Sequence, residues 1–458
     1  MSRLYVISNE FPVQPFQVRG GLGVVARESA LALVRAGVEV EVWCKERDAR
    51  GYHESLPGLH VRPISQLLGR PLGVHELPGC EEAERVARAL VERARSSRDV
   101  IGVQLHGEVW GACAPALRGA GVHCWVTMHS ERGQEWLDYL LHGSGPLQRR
   151  YGVRDHPLKA PLKQLLSSIG AQRDPARARR WLVQLARLGV GRSMKLRYLL
   201  EAEERAVRCA TAVVCVSESQ CERMRAAHRM QEGDPRIVAI PNGLGSESFE
   251  WPTSEELQEL RVEHGIGADD TVIVWVGRIV RQKGLEILIE ALRHLALRRQ
   301  LPRGCLLVVA GPPNRGAYVD RIQEEAESVP GLRVVFPGYV GGQRKRALFA
   351  LASVFPLPSV HEPFGIALLE AMAMGAPVVA FDTDGPRTLV RPEFGRLAEL
   401  AGEQGRIRRF AAAMLEVLHF RRAEASRAAR SRAERYTWDR VTRQWLKLYG
   451  IREASSVL

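Results

Sequence analysis

Four side chains in the second half of the chain have types and spacing that could do chemistry: Arg278 and Lys283 in GRIVRQKG, and Glu362 and Glu370 in HEPFGIALLEAMAMGAPVVAF. Arg278 and Lys283 share one loop after the apolar run TVIVWV. A guanidinium fork beside an ammonium point charge suits a diphosphate; the plainer alternative is a solvated pair of loop charges. A carboxylate only accepts hydrogen bonds, so Glu362 and Glu370 suit sugar hydroxyls, which can donate. Glu370 stands on a helix whose neighbours Ile366, Ala367, Leu368, Leu369, Ala371 and Met372 are apolar nearly all round, a pattern of burial. The plainer alternative there is a glutamate answered by an internal arginine. Pro363 and Gly365 mark the turn into this helix, and Gly375 with Pro377 ends it.

Weaker candidates lie elsewhere. Gly20, Gly21 and Gly23 follow the first apolar run at the start of a helical stretch. Glycines there let backbone N–H groups approach a phosphate, although GGLG could equally be a tight turn. His106 and His129 end the runs VIGVQLH and HCWVTMH, where either could simply cap a strand. Asp382 and Asp384 in FDTDG form a DxD pair, which reads as a solvated turn rather than a metal grip. The sequence has no Ser/His/Asp order, no HExxH and no P-loop.

The elements that must position these residues alternate. RLYVIS, EVEVWC, VIGVQLH, HCWVTMH and AVVCVS are apolar strand runs, with helical stretches such as VVARESALALVRAG and CEEAERVARALVERARSS between them. After IPNGLG the rhythm restarts with TVIVWVG, CLLVVAG, LRVVFPG, SVFPLPS and PVVAFD, again separated by helices. Near-continuous apolar strands mean parallel sheets covered on both faces. The expectation is an α/β chain of two facing doubly wound, Rossmann-like domains, with ligands beyond the carboxyl ends of the strands. The expected boundaries are 1–238 for the first domain, 239–430 for the second, and 431–458 for a helix, RYTWDRVTRQWLKLYG, that returns to the first. Residues from about 133 to 200 break the rhythm. They hold 13 basic residues against four acids and read as an insertion.

Composition limits the remaining choices. A chain of 458 residues exceeds what one core usually serves. No run of about 18 uncharged apolar residues appears, and MSRLYVISNEFP reads as a first strand rather than a signal peptide. Eight cysteines without a CxxC pair read as buried free thiols in a reducing cytoplasm. The net charge of +13 rests on 58 arginines against seven lysines, a bias of genome composition rather than a sign of nucleic-acid binding, and no nucleic-acid motif accompanies it.

Taken together, NEFP…GGLGVVARESALAL, PNGLG, VGRIVRQKG, AGPP, HEPFGIALLEAMAMGAPVVAFDTDG and YTWDRVTRQWLKLYG resemble the retaining glycosyltransferases of the sucrose-synthase and bacterial mannosyltransferase type, family 4, which have the GT-B fold. The resemblance covers most of the chain. It implies that Glu370 holds the nucleotide ribose and that Glu362 and Gly365 line the donor sugar site. Arg278 and Lys283 would neutralise the leaving diphosphate, Gly21 and Gly23 would bring amides to it, and His129 would lie near the reacting centre, with His106 the weaker candidate. It implies a UDP-, GDP- or ADP-sugar donor, no required cofactor and no metal. The acceptor is expected to be a polar small molecule, phosphorylated or not, with a membrane surface less favoured and nucleic acid not expected.

Two features depart from the family pattern. In DGPRTLV, Asp384 stands where the family usually has a glycine, and the insertion has no family counterpart. The competing readings are a sugar phosphorylase or nucleotide-sugar epimerase on the same fold and, more remotely, a basic protein that binds nucleic acid or anionic lipid.

Overall fold

The structure is a computed structural model that describes residues 2–11, 21–49, 56–73, 76, 78–97, 99–129, 193–312, 316–400 and 402–452. The basic insertion lies outside the described residues, except where the helix Ser193–Cys209 begins. The chain divides into two compact units. The first contains the described residues up to His129, then Ser193 to Gly243 and the segment from Tyr436; the second runs from Leu244 to Arg435.

In the first unit seven parallel strands are ordered β3-β2-β1-β4-β5-β6-β7: β1 (Arg3–Ser8), β2 (Glu39–Cys44), β3 (Leu59–Pro63), β4 (Val100–His106), β5 (Cys124–Met128), β6 (Ala212–Cys215) and β7 (Ile237–Ala239). The interior strands are the apolar runs of the sequence. β3 and β7 are the edges and were not expected. LHVRP carries a histidine, an arginine and a proline, which an edge tolerates and a central strand does not. Helices cover the sheet through apolar stripes. In Cys80–Ser96 the buried residues Ala83, Val86, Ala87 and Leu90 repeat at helical spacing and join one core with Trp110, Leu105 and Val126.

The helix Trp438–Tyr449 closes this unit. Val441, Thr442, Trp445, Leu446 and Tyr449 form its buried face. Tyr449 packs edge-on to Trp125 with ring centroids 4.6 Å apart, and its hydroxyl donates to Gln104 Oε1 on β4 at 2.8 Å. Trp438 lies so close to Gly243 that a Cβ there would collide with its ring and backbone. The helix is shorter than the segment expected to form it, because Glu434–Tyr436 is a separate 3-10 turn.

Among the described residues the second unit holds six strands, one more than the sequence suggested. β8 (Thr271–Val276), β9 (Cys305–Ala310) and β10 (Arg333–Gly338) are ordered β10-β9-β8, and β11 (Phe355–Leu357), β12 (Val378–Phe381) and β13 (Gly395–Ala398) follow as β11-β12-β13. A parallel bridge of Ile273 with Val354, with Val274 N donating to Val354 O at 3.1 Å, joins the two halves at β8. The full order β10-β9-β8-β11-β12-β13 is doubly wound. β13, the sequence GRLA, has too little apolar character to stand out. All eight cysteines are free thiols, six of them buried, and among the described residues no helix is long and apolar enough to cross a membrane.

The terminal helix should carry measurable stability. Trp445→Ala is expected to lower the unfolding free energy by about 3–5 kcal/mol, the usual range for truncating a buried Trp. Tyr449→Phe should cost about 1 kcal/mol for one lost hydrogen bond. Urea titration followed by tryptophan fluorescence measures both, and a Trp445→Ala variant as stable as the parent would contradict this packing.

Candidate active site

The second unit gathers the strongest candidates at the carboxyl ends of its strands. β8 ends at Val276 and runs into the loop carrying Arg278 and Lys283; β11 ends at Leu357 and runs into the loop carrying Glu362. The two loops meet because residue 284 is a glycine. Gly284 adopts φ +66, and a Cβ there would strike the carbonyl oxygen of Pro358. Lys283, the residue before it, donates from Nζ to Glu362 Oε2 at 2.8 Å. Gly385 fixes Glu362 from the other side: its N–H donates to the Glu362 carbonyl at 3.0 Å, and it lies against Phe364 with no room for a side chain. The glycine kept in DGPRTLV is therefore the one that packing requires. Asp384 opens the helix Asp384–Leu389, and Asp382 accepts from Arg387 Nε at 2.7 Å, so this carboxylate serves a local ion pair.

Gly365, at φ +94, turns the chain into the helix Ile366–Ala373. Leu368, Leu369, Ala371 and Met372 are buried, as the apolar pattern predicts. Glu370 is answered by a cation, but by Lys345 rather than an arginine. Nζ lies 2.7 Å from Glu370 Oε1, and the two side chains are 27% and 20% exposed. Burial pulls the Lys345 ammonium down, and the adjoining carboxylate outweighs it, so the group sits above its ordinary value. Sequence reasoning missed Lys345. The available signal was its place three and four residues before Leu348 and Phe349, the buried face of the helix Gly342–Leu351.

Arg278 differs from both lysines. It is exposed, and its guanidinium makes no hydrogen bond or ion pair among the described residues. The site thus holds two carboxylates, each on a lysine, and one arginine open to an anion. Behind it, Glu286 accepts from Tyr318 Oη at 2.6 Å, while Arg281 lies over the Tyr318 ring. Burial raises the Glu286 carboxyl above its usual range.

The remaining candidates belong to the first unit. Gly21 opens the helix Gly21–Arg35, and Gly23 is buried in its first turn. Gly20 lies outside the described residues. His106 ends β4, and His129 directly follows β5. Their rings stack at 5.2 Å, with His106 Nδ1 3.0 Å from His129 Nε2. Burial holds both imidazoles low, His129 at about 4, and His129 adds to the effect on His106. At neutral pH the pair is uncharged and shares one hydrogen bond. No group of three or more His, Cys, Asp or Glu side chains is placed to hold a metal among the described residues.

This architecture is shared with solved structures. Sucrose-phosphate synthase from Thermosynechococcus elongatus superposes with a TM-score of 0.67 at 21% identity, over 98% of each chain. Anabaena HepE in complex with UDP and glucose gives 0.63 at 16%, over 98% of this chain and 100% of that one. The fold is GT-B, two Rossmann-like domains in one chain. Residues 19–247 match the family described as Glycosyltransferase Family 4, and residues 257–435 match Glycosyl transferases group 1. The chain belongs to the family 4 glycosyltransferases. A D-inositol 3-phosphate glycosyltransferase from Salinispora tropica is 28% identical over 449 residues, 94% of this chain and 81% of that protein. An uncharacterized glycosyltransferase from Methanocaldococcus jannaschii is 31% identical over 242 residues, which span 52% of this chain and 60% of that protein.

The histidine pair sets a pH dependence. The unfolded chain protonates its histidines near the ordinary value of 6.5, whereas folded His129 resists until about 4. Between these values the unfolded state binds more protons, so stability falls as pH falls from about 6.5 toward 4. Guanidinium unfolding across that window should show this slope, and it should flatten in a His106→Gln/His129→Gln variant. An unchanged slope in the variant would contradict the assignment.

Proposed function

We propose that the protein transfers a sugar, with retention of configuration and without a metal, from a nucleotide-diphosphate sugar to a hydroxyl of a polar acceptor. The observation that carries this reading is the charge pattern at the strand ends of the second unit: one unpaired arginine, one lysine on a glutamate, and a second lysine–glutamate pair on an otherwise apolar helix. Breaking the glycosyl–phosphate bond places negative charge on the departing diphosphate. Lys283, held by Glu362, and Arg278, open to an anion, are cations able to meet that charge, the role a metal plays elsewhere. Glu362, with one oxygen on Lys283, keeps acceptor capacity for hydroxyls of the donor sugar, and Glu370 does the same for the ribose.

In this reading the acceptor hydroxyl oxygen bonds to the anomeric carbon on the face the diphosphate leaves. The carbon–oxygen bond to phosphate breaks, and the hydroxyl proton passes to the departing phosphate oxygen. The products are a glycoside and a nucleoside diphosphate. His129 contributes as a neutral imidazole, a hydrogen-bonding group rather than a cation. Gly21 and Gly23 would offer backbone amides to the diphosphate from the first turn of their helix. The UDP in the HepE complex and the inositol phosphate in the name of the Salinispora relative fit a nucleotide-sugar donor and a polar acceptor, phosphorylated or not. The free thiols fit a reducing, cytoplasmic setting.

A thermal-shift screen of UDP, GDP and ADP should single out the base by the largest stabilisation. With that donor, Arg278→Ala, Lys283→Ala and Glu370→Gln are each expected to lower transfer by about 10²-fold or more. Activity should survive excess EDTA, and NMR of the product should show the donor's anomeric configuration. Wild-type rates in all three folded variants, or activity lost to EDTA and restored by Mn²⁺ or Mg²⁺, would overturn the proposal.

A further inference from the structure

The chain uses arginine almost everywhere, with 58 arginines against seven lysines. Yet both glutamates of the candidate donor site are held by lysines, Glu362 by Lys283 and Glu370 by Lys345. The chemistry of the two cations explains the exception. An arginine fork tends to engage both oxygens of a carboxylate. An ammonium is a point charge, and here it engages one. Lys345 Nζ takes Glu370 Oε1 at 2.7 Å, and neither group has another hydrogen-bond partner among the described residues. Oε2 is left to accept from a ligand.

Stability alone does not account for the pair. Lys345 lies on the side of its helix shared with Leu348 and Phe349, where an apolar residue would pack, and Glu370 lies between buried Leu369 and Ala371. Replacing a partly buried ion pair with apolar residues is often neutral or stabilising. What the pair does provide is a carboxylate held in one orientation through Oε1, with Oε2 free.

We infer that Lys345 is a positioning residue for the nucleotide: by holding Glu370 through one oxygen only, it presents the other to the ribose hydroxyls and so sets the preference for ribonucleotides over deoxyribonucleotides. The inference rests on the reading of Glu370 as the ribose acceptor. No part of it requires Lys345 to touch the nucleotide.

The test is calorimetric titration of the full chain with UDP, ADP and GDP and their 2′-deoxy counterparts. Four variants are compared with the parent: Lys345→Arg, Lys345→Met, Glu370→Gln and Glu370→Gln/Lys345→Met. Lys345→Arg keeps the charge and is expected to fold, but its fork should occupy the carboxylate and weaken ribonucleotide binding about tenfold, the weight of one hydrogen bond to a charged group. Its ratio of ribo- to 2′-deoxy-nucleotide affinity should fall with it, which a merely structural lysine would not cause. Lys345→Met should weaken binding similarly. The double variant, which buries no unpaired charge, should bind like Glu370→Gln alone. If Glu370→Gln weakens binding while Lys345→Arg binds and discriminates like the parent, the inference fails and the ribose reading stands. A double variant much weaker than Glu370→Gln would mean that Lys345 contacts the nucleotide itself, which also overturns it. If Glu370→Gln binds like the parent, the ribose reading fails, and the inference with it.

Discussion

A carboxylate on an apolar helix must be answered by a cation, and much of the candidate site follows from that requirement. Glu370 stands between buried Leu369 and Ala371, where a charge taken partly out of water is costly unless it is paired with an opposite charge. Lys345 supplies the charge from the helix after β10. Lys283 does the same for Glu362 from the loop after β8. Each pair ties together segments that follow different strands. The site is therefore a property of the sheet's carboxyl edge rather than of any one loop.

The backbone makes those meetings possible. Gly284 lets the Lys283 loop come against Pro358, and Gly385 lets the start of a helix come against Phe364 beside Glu362. Both are close approaches that a side chain would prevent. The bridge at Val354 places β11 next to β8, and it is this neighbour relation that brings the two loops together. In the first unit the corresponding edge carries the two stacked histidines at the ends of adjacent strands, where burial keeps them neutral.

Much of this was legible in the sequence, for identifiable reasons. Strands buried on both faces, such as TVIVWV and CLLVVA, announce themselves as unbroken apolar runs. The edges LHVRP, IVA and GRLA do not, because an edge strand is only partly buried and its sequence is under weaker constraint. The glutamates at 362 and 370 stood out because acids interrupt an apolar segment. Their partners did not, since an ion pair between residues 25 or 79 positions apart depends on which strands are neighbours, and no local pattern encodes that. Lys345 was the reachable omission: a charge on the inward side of QRKRALFAL asks for a partner. The stacking of His106 on His129 follows from β4 pairing with β5 in parallel, which the alternating pattern implied without fixing the register.

The central claim is that the strand ends of the second unit receive a nucleoside diphosphate through one free arginine and two lysine-held glutamates. A crystal structure of the full chain with the nucleoside diphosphate that stabilises it most tests this directly. The account predicts diphosphate oxygens within hydrogen-bond reach of Arg278 and Lys283, ribose hydroxyls donating to Glu370, and Lys345 still on Glu370 Oε1. A nucleotide bound away from these residues, or a ribose that leaves Glu370 untouched, would contradict it.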